Sequence, residues 1–307
     1  MKSRIATLMV HTSPLEQAGM GDAGGMNVYV IENSIKMANA GVEVDIFTRA
    51  DKSGLADAVQ IANGVTVHHL EAGPIGALTK EELPSQIGAL THAFMEHQSA
   101  KPNNYYDIIH SHYWISGQLG WMISERTGVP LVHTMHTMAK VKNQALAEGD
   151  TPEPLIRALG EELIVQNAKA LIANTDAEAA SLVSLYGADS DLVKVVTPGV
   201  DLQRFTPGHG KASARNILDI APDAIMLMFV GRIPIRYMLL VFAAGLALVV
   251  SIYFLADFVP DSVGRIHTIK GRIERFIHGD PNSEQGVTQA DYAKLAIYSG
   301  GILGKGP

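Results

Sequence analysis

The chain has 307 residues and a formal net charge of −7, with an isoelectric point near 5.9. That balance excludes the basic footprint a nucleic-acid partner requires. Cysteine is absent, which excludes disulfides and thiolate metal sites and suits a reducing cytoplasm. The length suggests about two domains, and neither a metal nor a cofactor is assigned.

Ile5 to Val10 reads as a first buried strand, too short for a signal-peptide core. Asn27 to Ala40 follows as a helix with Val28, Ile31, Ile35 and Ala38 on one face. Further strands are expected at Val42 to Thr48, Val65 to Leu70, Ile108 to Ser111, Pro130 to Thr134, Ala170 to Asn174 and Val193 to Thr197. Helical patterns lie between most of them, at Glu82 to Gln98, Ile115 to Arg126, Glu153 to Asn167 and Asp176 to Tyr186. Strand–helix alternation of this kind predicts an α/β fold, a doubly wound parallel sheet covered on both faces, over 1–205. Pro198 to Gly208 is turn-rich, a short helix is expected at Ser213 to Leu218, and Ala224 to Val230 reads as a fresh buried strand opening a second α/β domain. Residues 206–233 are thus a linker and the start of that domain. Its continuation is replaced by Tyr237 to Ala256, twenty residues without a charge. A helix over them spans about 30 Å, enough for one transmembrane helix over 234–259.

Gly19, Gly21 and Gly24 match the spacing of a dinucleotide loop, G-x-G-x-x-G. The match fails in context, because the strand ends near Val10 and no acidic residue caps the second strand. Two readings remain: glycines that only permit tight turns, and a loop whose N–H groups meet a phosphorylated or sugar ligand.

His11-Thr-Ser-Pro-Leu15 and Gly21-Asp-Ala-Gly-Gly-Met-Asn-Val-Tyr29 begin a longer pattern. It continues through Lys80-Glu-Glu-Leu-Pro84, His110-Ser-His-Tyr-Trp114, His133-Thr-Met-His-Thr137, Val141-Lys-Asn143, Asp150-Thr-Pro-Glu153, Asn174-Thr175 and Pro198-Gly-Val-Asp201. This string closely resembles the N-terminal, Rossmann-like domain of the D-inositol-3-phosphate glycosyltransferases, retaining enzymes of the two-domain GT-B fold. Sucrose-phosphate synthases share the glycine loop and the His-Ser-His-Tyr string, so the acceptor is less fixed than the family. The resemblance implies transfer of N-acetylglucosamine from UDP-N-acetylglucosamine to inositol phosphate. It implies phosphate ligands at Lys80, Tyr113, Thr137 and Arg157, with Asp22, Ala23, Gly24, Gly25, Met26 and Asn27 around the inositol ring. Two cations and two hydroxyls suit a phosphate dianion, although either cation alone also reads as ordinary solvated helix charge. His136 matches the family histidine beside the reacting carbon, and His11 and Gly25 match positions near the donor.

Arg232 matches the family arginine that stabilises the departing pyrophosphate, but Tyr237 stands where the partner lysine belongs. Loss of one such preorganised charge costs roughly 10²–10³ in rate, so an intact acceptor half without turnover is expected. Tyr292 to Ile297 and Ser299 to Pro307 are similar to the SEDS family of cell-division and cell-shape membrane proteins. That resemblance implies a fused extracytoplasmic loop fragment over 260–307. The expected arrangement is a cytoplasmic enzyme domain anchored to the plasma membrane by residues 237–256. A non-catalytic, membrane-tethered module that binds sugar phosphate is the alternative.

Overall fold

The computed structural model describes residues 2–19, 23–147, 149–206, 210–226, 228, 235–255 and 270, with the side chains of 235–238, 252 and 255 left aside. The chain divides into two compact units between Pro222 and Asp223.

The first unit is built on eight strands: β1 (Arg4–Leu8), β2 (Glu43–Arg49), β3 (Ala58–Ala62), β4 (Val65–Leu70), β5 (Ile108–His112), β6 (Leu131–Thr134), β7 (Ala170–Ala173) and β8 (Val193–Val195). They lie in the order β3-β4-β2-β1-β5-β6-β7-β8, parallel except for β3. In register, Ile5 faces Val44 on one side and Ile108 on the other. The helices are α1 (Gly25–Asn39), α2 (Ile87–Ser99), α3 (Trp114–Thr127), α4 (Ala139–Gln144), α5 (Leu155–Asn167), α6 (Asp176–Tyr186) and α7 (Lys211–Ile217).

Period-two alternation divides β2 between two cores. Val44 and Ile46 join Val30 of α1 on one face. Phe47 points the other way, into a larger core with Phe94 of α2, Leu119 of α3, Ile164 of α5 and Leu182 of α6. Apolar cover on both faces explains why the central strands read as nearly continuous apolar runs. The elements also end where local chemistry says they must. The Thr175 hydroxyl accepts the Glu178 N–H at 3.1 Å to cap α6, and Gly187, at φ 68°, closes it in the left-handed region.

Two elements depart from the expected pattern. β3 pairs antiparallel with β4 at the sheet edge and carries an irregular register between Gln60 and Ala62. Two of its five residues are exposed and none is buried, and Gln60 interrupts its short apolar run, yet the connecting Asn63-Gly64, with Gly64 at φ 78°, is a strong hairpin signal. α4 spans six residues, too few to show a helical period. The strand expected at Ala224 to Val230 is not formed at Ala224–Met226, and most of the remainder lies outside the described residues.

In the second unit, α8 (Ile235–Leu255) covers the uncharged run. Its described side chains are continuous only over 239–251, about 20 Å at 1.5 Å per residue. Among the described residues no helix is long and apolar enough to cross a membrane, so the expected transmembrane helix has no support there. The SEDS-like segment, 260–307, lies outside the described residues except at position 270.

α3 packs so closely on α5 and β6 that a Cβ added at Gly117 would sit 2.5 Å from Ile164 Cδ1 and 2.7 Å from His133 Cε1. Gly117→Ala is therefore expected to destabilise the first unit by about 1–3 kcal/mol through overpacking. A urea midpoint unchanged from wild type would refute that packing.

Candidate functional site

The chain winds outward from β1 toward β2 in one direction and returns to β5 on the other side. The carboxyl ends of β1 and β5 thus flank the topological switch point, where open α/β sheets hold ligands. Ring contact between His11 and Tyr113, 4.4 Å between centroids, closes the base of this crevice. The Val10 N–H donates to Ser116 Oγ at 3.1 Å, tying the end of β1 to α3. Asn27 donates from Nδ2 to the Ser13 carbonyl at 2.7 Å, and its Oδ1 accepts the Gly24 N–H at 2.9 Å. Its amide therefore holds the loop after β1 against the start of α1. Gly24 and Gly25 open that helix, Ala23 is fully buried, and Met26 packs on both cores. Asp22 and Arg232 lie outside the described residues.

Beside the crevice stand four histidines from β5, β6 and the loop after β6. Ser111 Oγ and His133 Nδ1 are 2.7 Å apart, His110 Nε2 and Thr134 Oγ1 2.9 Å, and His112 Nδ1 and His136 Nε2 2.9 Å. Tyr29 of α1 meets the His136 ring edge-on at 5.1 Å. Burial pushes His110 down to about 4 and His133 and His136 down to about 3, with repulsion from His110 adding to the last two. His112 is held well below the ordinary histidine range for the same first reason. All four rings are thus neutral near pH 7, and in the His112–His136 bond one nitrogen donates while the other accepts. His136 adopts φ 61° and Tyr113 φ 72°, backbone positions that non-glycine residues rarely take.

A cavity of 280 Å³ lies against Lys80, Tyr113, Trp114, Lys142, Glu153 and Arg157. Three of the four expected phosphate ligands line it. The fourth, Thr137, is exposed and accepts from Arg157 Nη2 through Oγ1 at 2.9 Å. Arg157 is 3% exposed, with Nε on Glu161 Oε1 at 2.8 Å, Nη1 on Glu153 Oε2 at 2.7 Å and its guanidinium over the Tyr113 ring at 5.1 Å. Lys142 Nζ meets Glu153 Oε1 at 2.6 Å. Burial works against the Glu153 charge, yet these two cations hold its carboxyl below the usual range.

Sequence reasoning singled out neither Glu161, Glu153 nor Lys142 as site residues. The i, i+4 spacing of Glu153, Arg157 and Glu161 on one helix face was the available signal. It also missed an adjoining cavity of 340 Å³ bounded by His136, Lys142, Glu178 and Ser181. There Glu178 Oε1 is buried without a hydrogen-bond donor, and burial raises the Glu178 carboxyl. Among the described residues no histidine or acidic cluster has a metal-holding arrangement.

Residues 24–199 match the family model described as a glycosyl transferase 4-like domain. The chain belongs to this glycosyltransferase family. It is 57% identical over 230 residues to the D-inositol 3-phosphate glycosyltransferase of Actinosynnema mirum, covering 75% of this chain and 55% of that one. It is likewise 57% identical to the D-inositol 3-phosphate glycosyltransferase of Streptomyces bingchenggensis, covering 50% of that protein. The chain thus spans about half the length of the curated relatives it matches. Among solved structures it is similar to the sucrose-phosphate synthase of Thermosynechococcus elongatus, at 29% identity and a TM-score of 0.67, over 75% of this chain and 56% of that one. The fold expected for the glycosyltransferase domain is therefore present, whereas the SEDS resemblance finds no support in these comparisons.

The neutral histidines give this family member a pH dependence of definite sign. Their folded values lie below the ordinary 6.5, so between those limits the unfolded chain binds protons that the folded chain refuses. Stability is full above about pH 6.5 and falls as pH drops toward 4, by roughly 1 kcal/mol per pH unit for each such histidine. Urea unfolding at pH 7.5 and pH 5.0 checks this, with a lower midpoint expected at pH 5.0; equal midpoints would contradict the buried neutral cluster.

Proposed function

We propose that the first unit is the acceptor-binding half of a retaining GT-B hexosyltransferase. Its acceptor is 1D-myo-inositol 3-phosphate, and its donor substrate is UDP-N-acetylglucosamine. The observation that carries this reading is the convergence of Lys80, Tyr113 and Arg157 on one cavity at the switch point, with Thr137 bonded to Arg157. The names of the relatives support the choice of acceptor, and the likeness to sucrose-phosphate synthase leaves a hexose phosphate as the competing one.

The phosphate would sit on Lys80 and Arg157, where charge-assisted hydrogen bonds are strong and partly desolvated. Tyr113 supplies a hydroxyl, and its ring keeps Arg157 flat against the site. The inositol ring would lie toward Asp22–Asn27, on the N–H groups that open α1. His136, neutral and edge-on to Tyr29, would offer the transferring sugar a hydrogen bond without a competing charge. His11 and Gly25 would face the donor, and the family resemblance gives Arg232 the role of stabilising the departing pyrophosphate. Tyr237 in place of the second cation removes one of the two stabilisers of the leaving pyrophosphate, so this chain is expected not to turn over.

Calorimetry tests the site directly. Lys80→Ala should weaken inositol phosphate binding about tenfold or more, the worth of a charged hydrogen bond, and leave any binding of unphosphorylated inositol unaltered. Release of UDP from UDP-N-acetylglucosamine that depends on inositol phosphate would show that turnover survives the missing lysine.

A membrane tether is a second reading, favoured by one observation. Leu240, Phe242, Leu246 and Val250 are 45–71% exposed on α8, so apolar side chains face outward around much of that helix. A helix apolar on all sides needs protein or lipid around it. On this reading the full chain sediments with membranes and is released by detergent but not by carbonate wash; release by carbonate would remove the tether.

A further inference from the structure

The cavity against Arg157 presents three cations, Lys80, Lys142 and Arg157, and two of its lining carboxylates, Glu81 and Glu153. A third carboxylate, Glu161, lies directly behind Arg157 and is fully buried. The formal charges of these six groups cancel; the Tyr113 and Tyr186 hydroxyls stand beside them, and Lys140 over Tyr186 is balanced by Glu162. A dianion has little reason to enter a neutral site, so the question is which carboxylate can yield. Glu161 cannot: its Oε2 also accepts the Ala139 N–H at 2.8 Å and the Tyr186 hydroxyl at 2.5 Å. Glu81 is exposed at the mouth and already faces water. Glu153 differs from both. Its carboxylate bridges Lys142 and Arg157 at 2.6 and 2.7 Å, and its side chain is 23% exposed at the cavity rim. Only its backbone is otherwise tied, through an N–H to Asn143 Oδ1 at 2.7 Å.

Accepting the acceptor site proposed above, we infer that Lys142 is a further ligand of the phosphate and that Glu153 is a built-in counter-ion which the phosphate displaces. A carboxylate offers two oxygens in a plane, whereas a phosphate offers three and a second negative charge. The dianion can therefore take over both cations and add Lys80, while a weaker anion cannot repay the displaced ion pairs. Glu153 thereby sets a threshold: it keeps Arg157 and Lys142 aligned when the site is empty and discriminates against monoanions.

The test is calorimetric titration of the full chain in detergent with 1D-myo-inositol 3-phosphate and, separately, with dimethyl phosphate, a monoanion. Glu153→Gln should tighten inositol phosphate several-fold and dimethyl phosphate by more, narrowing the gap between them. Lys142→Met, at a half-exposed position that tolerates change, should weaken inositol phosphate about tenfold, as loss of a charged hydrogen bond does. Equal or weaker binding by Glu153→Gln at an unchanged urea midpoint would make Glu153 a scaffold and overturn the inference. Should that variant unfold, unaltered binding by Lys142→Met overturns it instead. If the wild type binds neither probe while Glu153→Gln binds both, the counter-ion role stands and the inositol phosphate reading falls; if neither protein binds either probe, both fall.

Discussion

The site depends on one buried ion pair. Arg157 and Glu161 are a single turn apart on α5, 3% and 0% exposed, and joined at 2.8 Å. Removing a charge from water costs several kcal/mol, and a pair survives burial only when its remaining donors and acceptors are met. Here they are. Glu161 takes the first N–H of α4 and the Tyr186 hydroxyl at the end of α6, and Arg157 takes Thr137 and Glu153. One carboxylate therefore fixes three helices around one guanidinium. Replacing either partner alone would strand the other, at a cost of about 3–5 kcal/mol. Such a pair contributes less to stability than to position, because the cation cannot rotate away when the cavity is empty.

Strain at the same place has a related logic. Asn104 and Asp219 also take positive φ, but asparagine and aspartate tolerate it in turns. Tyr113 and His136 have no such licence, and each departure costs of order 1–3 kcal/mol. Both sit just past a strand of the central sheet, at the carboxyl edge where a ligand would approach. Tyr113, extended at ψ 153°, turns β5 into α3 so that its ring lies between His11 and Arg157. His136 turns the chain toward α4 while its ring meets His112 and Tyr29. Both distortions coincide with ring contacts that an unstrained backbone would have to surrender.

Much of the scaffold was legible because burial on both faces of a parallel sheet leaves apolar runs of strand length. β3 escaped notice since Gln60 and the irregular register after it break a short apolar run, although Asn63-Gly64 announced its hairpin. The site was legible only in part. Lys80, Tyr113, Thr137 and Arg157 come from four separate segments, and no periodicity relates them. Family likeness named them, and packing brings them together. What likeness did not disclose is their state. Arg157 alone reads as solvated helix charge, yet it is buried and already paired. Asn27, expected at a ligand's ring, has its amide bonded to the loop it supports.

These features share one electrostatic constraint. The histidines are neutral because burial forbids their charge, and the cations against the cavity are matched one for one by carboxylates. An empty crevice with a large uncompensated charge would be costly to fold and would collect any anion from solution. A balanced one is stable alone and, under the acceptor site proposed above, would exchange partners when its ligand binds. Selectivity would then come from the difference between the ion pairs lost and those gained, not from the absolute strength of either. On that proposal the difference would favour a ligand carrying two negative charges on a compact tetrahedral group. The imidazoles obey the same constraint, since burial of His112 and His133 penalises any charge there and leaves the balance around Arg157 undisturbed.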